Sequence, residues 1–300
     1  MERRSLTRRV ALGAAASLLV AKPSLGRVLR IGGGMSSPVL PGHFTTVNYG
    51  TVYKSNSGAS TRYISSDVWA NTWADDDKIY AVNDDSFGWQ DAAPSSNFEV
   101  SLLSDYTTAF TGSSVNKMVP WGAASITGSD NAAYKAMGLI SVNGVLYGTA
   151  ARQVYGTHGG TGVACKQSSA NMQIIKSINH GGAWTPQPPA TAQPYTTPMF
   201  AGAVNNTCWF AQYGKDSPYP GTVGDVDGNQ TYVYAVSNDG WWNNGSSLFL
   251  GRCKIADMPA LDGTKWSYWQ GPVGVDNGML DASWGAWATA APLINSALKV

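Results

Sequence analysis

The sequence predicts an all-β protein that repeats a unit of four antiparallel strands, and three observations predict it. The first is composition: 34 glycines, 14 tyrosines and 12 tryptophans stand among 300 residues, while charged residues make up only 13%. Tight glycine turns joined to aromatic strands suit β-structure, and the charge content is about half the roughly 25% usual in globular chains. The second is that helical periodicity is lacking beyond the N-terminal segment. The third is a pair of short apolar runs around a polar turn, which recurs along the chain.

Taken in order, residues 1–26 read as an export signal. Arg3, Arg4, Arg8 and Arg9 precede an apolar run from Val10 to Ala21, and Ser24-Leu25-Gly26 offers small residues for cleavage. The run is shorter than the roughly 20 residues of a membrane span. Thr7-Arg8-Arg9-Val10-Ala11-Leu12 resembles the twin-arginine signal, so the chain is expected outside the cytoplasm and off the membrane once cleaved. Residues 27–60 are read as an N-terminal segment able to supply a closing strand to a later repeat.

The repeats then follow over residues 61–300. Hairpins are expected at Val68–Ala74 with Lys78–Val82, at Gly138–Val142 with Val145–Thr149, and at Met199–Val204 with Cys208–Gln212. Their turns, Asp75-Asp76-Asp77, Asn143-Gly144 and Asn205-Asn206-Thr207, use residues that tolerate positive φ. Further strands are expected at Phe98–Leu103 and Lys117–Pro120, at Met172–Ser177 and Ala183-Trp184, and at Tyr232–Ser237 and Leu248–Lys254. Four strands per repeat make the blade of a β-propeller. Blades are drawn at about 61–125, 134–190 and 195–256. A β-sandwich would explain the strands but not their spacing.

Ser177-Ile178-Asn179-His180-Gly181-Gly182-Ala183-Trp184 resembles the Asp-box turn of propeller sialidases, with Asn in the Asp position. In such a turn a short polar side chain closes on backbone amides, Gly takes positive φ and Trp is buried between sheets. Ser237-Asn238-Asp239-Gly240-Trp241-Trp242 is a degenerate copy. Thr72 to Tyr80, Tyr232 to Gly240 and Leu248 to Arg252 are similar to segments of a secreted microbial family related to five-bladed propeller glycoside hydrolases of the arabinan-cleaving type. That resemblance implies five blades, of which three are visible here. Trp266 to Ala291 reads as a connection toward a fourth, so the chain is expected to be C-terminally truncated; a small propeller with irregular blades is the alternative.

Strand alternation sorts the loops onto two ends. Asp67 precedes the innermost strand of the first blade, where related propeller glycosidases carry a base or nucleophile. Glycoside hydrolysis needs one protonated and one ionised carboxyl. Glu99 is the only glutamate after the signal and lies on a third strand, so the chemistry is assigned to aspartates. Asp67 is expected as base or nucleophile and Asp216 or Asp225 as acid, with Asp84, Asp85, Trp69, Arg152 and His158 binding substrate. Each aspartate alone is more often a turn or cap residue. Asp75, Asp76 and Asp77 are assigned to the opposite end as a solvated turn.

The expected function is therefore that of a secreted glycoside hydrolase-like propeller with paired Asp acid/base chemistry in the central funnel, acting on a polysaccharide or oligosaccharide; a non-catalytic carbohydrate-binding or surface-interaction propeller is the alternative. No cofactor and no metal is expected: Asp225-Val226-Asp227-Gly228-Asn229 opens like a calcium loop but lacks the later Glu, so calcium is weakly supported. A net charge of +1 without a basic stripe argues against nucleic acid. Cys208 and Cys253 are expected a full strand apart, about 9.6 Å and beyond disulfide reach.

Overall fold

The computed structural model describes residues 65–88, 94–105, 111–154, 167–216, 232–242, 245–271 and 283–295. They form three antiparallel sheets, and no α-helix occurs among them. The signal and the 27–60 segment lie outside the described residues, and no described helix is long and apolar enough to cross a membrane.

The first sheet is a meander of β1 (Ser65–Trp73), β2 (Ile79–Gly88), β3 (Glu99–Asp105) and β4 (Thr111–Asn116). Its first three strands fall where alternating apolar residues put them. The fourth lies just before the expected Lys117–Pro120 segment, which instead turns at Met118, where φ is +52°. The second sheet has β5 (Ala132–Val142) paired with β6 (Val145–Val154), and β6 paired in turn with β7 (Ser168–Ser169) and β8 (Gln173–Ser177). Its expected fourth strand shrinks to one bridge between Lys176 and Thr185.

The third sheet corrects the sequence reading by one strand. Met199–Val204 forms turns, not a strand, because Gly202 and Asn205 both take positive φ and Asn206 is buried. The innermost strand is therefore β9 (Trp209–Phe210), followed by β10 (Tyr232–Asn238), β11 (Ser247–Lys254) and β12 (Trp266–Trp269). Beyond β12 lie β13 (Trp284–Gly285), paired with β12, and β14 (Pro292–Asn295), paired with β11. The stretch expected to lead away toward a fourth blade thus contributes outer strands to the third sheet.

The middle sheet is buried on both faces. Ile174 enters a core with Ile140, Tyr147, Phe210, Val233 and Trp266, whereas its neighbour Ile175 enters one with Tyr80, Val82, Phe98, Leu139 and Trp184. The Ser177–Trp184 turn closes as its residue types dictate. Asn179 Oδ1 accepts from Ser177 Oγ and from Ala183 N, and the buried Trp184 donates to the Gly181 carbonyl at 2.9 Å. Cys208 and Cys253 share the first of these cores as free thiols, with β10 between their strands. Burial raises both thiols well above the usual range, that of Cys253 to about 12.

The three innermost strands meet, with β5 packed against both β1 and β9. A Cβ on Gly138 in β5 would stand 2.5 Å from the Cys208 carbonyl oxygen, so only glycine permits this approach. Thr149 Oγ1 completes the seam, accepting from Gly138 N and donating to that same carbonyl. Gly138→Ala is expected to lower the free energy of unfolding by about 1–3 kcal/mol in chemical denaturation, since main chain must move to admit the methyl group.

Candidate functional site

Two of the three innermost strands, β1 and β5, carry a bulge at mid-length. In β1, Asp67 pairs with Asp84 and Ala70 with Val82, which leaves an extra residue at Val68–Trp69. In β5, Ala136 pairs with Ala150 and Leu139 with Gly148, leaving an extra residue at Met137–Gly138. A second shift in the β1–β2 ladder, between the Ser65–Gly88 and Asp67–Asp84 pairs, places the extra residues in β2. Val68 has a φ of +49° and Asp85 one of +46°. A β-branched residue in the left-handed region costs of order 1–3 kcal/mol, and such strain, like bulges, gathers where a strand must re-aim its side chains.

The bulges border a cavity of about 160 Å³ lined by Trp69, Asn71, Leu139, Trp209, Phe210 and Gln212, with contributions from Ala70 and Gly138. All three sheets thus supply it through their innermost strands. Hydrogen bonds fix its wall: Thr72 Oγ1 accepts from Ser141 N at 2.9 Å and donates to Gln212 Oε1 at 3.1 Å, and Gln212 Nε2 donates to the Leu139 carbonyl. Trp209 remains 38% exposed.

Toward the start of β1 stands a group of charges. Asp84 is 2% exposed, and Lys135 of β5, itself 1% exposed, lies 3.8 Å from it and in direct contact with the exposed Asp85. Asp67 is the ladder partner of Asp84. The structure therefore brings Asp67, Asp84, Asp85 and Trp69 to one region and adds Lys135. Sequence patterning does not single out Lys135, because the apolar run of that strand is drawn from Gly138; the available signal is a lysine inside Ala132–Val142, otherwise buried and mostly apolar.

Asp216 is elsewhere. Its amide donates to the Trp73 carbonyl at 2.6 Å, and its carboxylate accepts from Ser141 Oγ and Gly144 N. It closes the β5–β6 turn at the end of β1 remote from Asp67, about 20 Å away at about 3.3 Å per residue. The one-strand shift of the third sheet is the cause, since the loop after Gln212 joins a first strand to a second and so emerges at the opposite end. Arg152 is also spoken for. It is 1% exposed, binds Asp130 through two nitrogens, donates to the Ala192 carbonyl at 2.6 Å and lies 4.8 Å from the Tyr134 ring, an anchor for two loops rather than a surface group for substrate. Asp225 and His158 lie outside the described residues.

At the Asp216 end, His180 Nε2 lies 2.9 Å from Asp75 Oδ1 and its ring stacks on Tyr80, clasping the first sheet to the second. Asp75, Asp76 and His180 bring three potential ligand atoms within 4.8 Å of one another. They are already engaged with one another and with Lys78 and Tyr80. Burial works to raise the Asp76 carboxyl, but hydrogen bonds from Tyr80 and Lys78 hold it below the usual range.

No family model and no curated protein matches the chain. Among solved structures it is similar to a protein from Bacteroides ovatus ATCC 8483 provisionally described as a hydrolase, at a TM-score of 0.38 and 13% identity, over 73% of this chain. The match spans 53% of that protein's length. A likeness of this size is too slight to assign an activity.

Two outcomes test these placements. Lys135→Met leaves the buried Asp84 without its lysine and is expected to cost about 3–5 kcal/mol of unfolding free energy by urea titration. Burial tends to raise the Asp130 carboxyl, and the hydrogen bonds and charge of Arg152 outweigh it and hold the carboxyl below its ordinary 3.8. Its contribution to stability is therefore full above that value and lost as pH falls through the lower, folded one. Asp130→Asn should be less stable than the parent at neutral pH, with the two curves drawing together in a melting-temperature profile as pH falls below 3.8.

Proposed function

We propose that this chain is an exported β-propeller-like protein that binds polysaccharide in the channel where β1, β5 and β9 converge. The observation that carries the reading is the bulged Asp67-Val68-Trp69 segment, strained at Val68, at the border of a cavity faced by two tryptophans and two side-chain amides. Indole faces suit the apolar faces of sugar rings, and the Asn71 amide adds a polar group for their hydroxyls. A cavity of about 150 Å³ admits one six-membered ring, so a single sugar unit of a longer chain fits the wall.

The propeller reading is supported by the order of the sheets. Each begins with its innermost strand, these strands are neighbours, and the first-to-second connections of all three sheets emerge at the same end, where Asp77 meets Lys215 and Asp216 meets both Trp73 and Gly144. A sandwich of two sheets would not bury the middle sheet on both sides while gathering one strand of each at a common line.

Hydrolysis is the second reading, and the Asp67–Asp84 pairing favours it. Directly opposed residues of an antiparallel pair have Cα atoms about 4.5–5.5 Å apart, and two aspartates at neighbouring backbone positions are what paired-carboxylate hydrolysis calls for. In this reading Asp67 acts as base or nucleophile and Lys135 balances the charge of Asp84 and Asp85. With Asp216 at the other end, the acid would have to come from this same cluster.

Titration calorimetry and reducing-sugar release on a panel of arabinans and other plant and mycobacterial polysaccharides test both readings. At least one polymer is expected to bind, with Trp69→Ala and Trp209→Ala each weakening it tenfold or more. Binding indifferent to both substitutions would remove the channel from consideration. Sugar release that disappears in Asp67→Asn establishes catalysis; binding without release leaves the protein a lectin-like receptor.

A further inference from the structure

The third sheet carries two cations that no protein group answers. Val233 and Cys253 are ladder partners in β10 and β11, and both enter the core shared with the second sheet. By two-residue alternation their neighbours point the other way, with Tyr232 opposite Lys254 and Tyr234 opposite Arg252. None of these four lines the channel cavity.

Arg252 is held between rings that reach it from either side of its strand. Its guanidinium carbon lies 4.2 Å from the ring centre of Tyr232 in β10 and 4.0 Å from that of Trp284 in β13. Trp284 is braced in turn by Tyr234, edge-on at 6.0 Å. Stacking of this kind engages the faces of the guanidinium and leaves its N–H edge unused. Nε is fully buried without a hydrogen-bond partner, and the half-buried side chain makes no other hydrogen bond and no ion pair. The ammonium of the exposed Lys254, two residues along the same face and about 6.6 Å on, has none either. By contrast, Lys78, Lys135, Arg152 and Lys215 pair with aspartates, and Lys117 and Lys176 donate to carbonyl oxygens. A guanidinium partly withdrawn from water without a counter-charge is costly, and an incoming anion removes that cost.

We propose that Arg252 and Lys254 bind the carboxylate of an acidic sugar unit. The outer guanidinium nitrogens take its two oxygens and Lys254 adds the second positive charge. A planar fork held in place by rings matches a planar carboxylate in a bidentate pair, and little further ordering is needed to form it. The assignment rests on the polysaccharide reading and deepens it: the polymer carries uronic acid, read at a second site two strands out from β9.

The test is titration calorimetry of the full chain with galacturonate, glucuronate and mannuronate oligomers, each beside its neutral methyl ester. At least one acid is expected to bind at least tenfold more tightly than its ester, with the difference shrinking as sodium chloride is raised. Arg252→Gln should abolish that preference. Should Arg252→Gln fail to fold, the exposed Lys254→Gln supplies the second arm and is expected to reduce the preference at least threefold. Acid and ester binding alike, or an acid preference that both variants retain, overturns the proposal. Binding of inorganic phosphate or sulfate at Arg252 without binding of any uronate overturns the carboxylate assignment. The channel reading fails separately: it is judged by Trp69→Ala and Trp209→Ala, which leave β11 untouched. An acid preference lost in Arg252→Gln but indifferent to both tryptophans upholds this site and removes the channel.

Discussion

Ile174 and Ile175 are consecutive residues of β8, yet each is wholly buried in a different core, and this double burial organises the molecule. A sheet with one apolar face needs one partner; a sheet with two must be flanked. Leu146 and Tyr147 in β6, and Leu139 and Ile140 in β5, divide between the two cores in the same way. The outer sheets are held at a spacing set by aromatic rings, with Phe98 edge-on to Trp121 and Trp184 on one side and Phe200 edge-on to Trp266 on the other. The innermost strands are brought together as a consequence, and the cavity is the space that their bulges leave.

Local patterns make the first two hairpins legible in the sequence. The acidic turn at 75–77 and Asn143-Gly144 each close an alternating apolar pair, and β1, β2, β5 and β6 form around them. The same logic fails at Asn205-Asn206-Thr207. There the turn residues are buried and bonded to the sheet, with Thr207 N donating to Ser237 Oγ at 3.2 Å. A polar run that serves as a buried anchor carries the same letters as one that serves as an exposed hairpin, and only tertiary context separates them. That single shift moves Asp216 to the opposite end, whereas strand direction alone gathers Asp67, Asp84, Asp85 and Trp69 at one.

Charge in this molecule is scarce and committed. Arg152 is enclosed with Asp130 and Tyr134, Lys135 lies against Asp84 and Asp85, and Arg252 sits between the rings of Tyr232 and Trp284 at 4.2 and 4.0 Å. Buried cations on β5 and β6 have no signature in spacing, since most neighbouring residues on both strands are small or apolar. Their role follows from what they touch: Arg152 ties the 128–132 and 192 loops to a strand end, whereas Lys135 lies on the wall shared by two sheets. The first arrangement is structural, and the second places a positive charge against two carboxylates of the neighbouring sheet.

Asp216 gives the assembly a property that no single sheet has. It belongs to the loop leaving the third sheet, hydrogen-bonds the last residue of β1 in the first and closes the β5–β6 turn of the second. One residue is therefore a three-way junction at one end of the innermost strands. Opening any sheet there breaks its contacts with the other two, so the three sheets are expected to exchange their amide protons at that end as one cooperative unit.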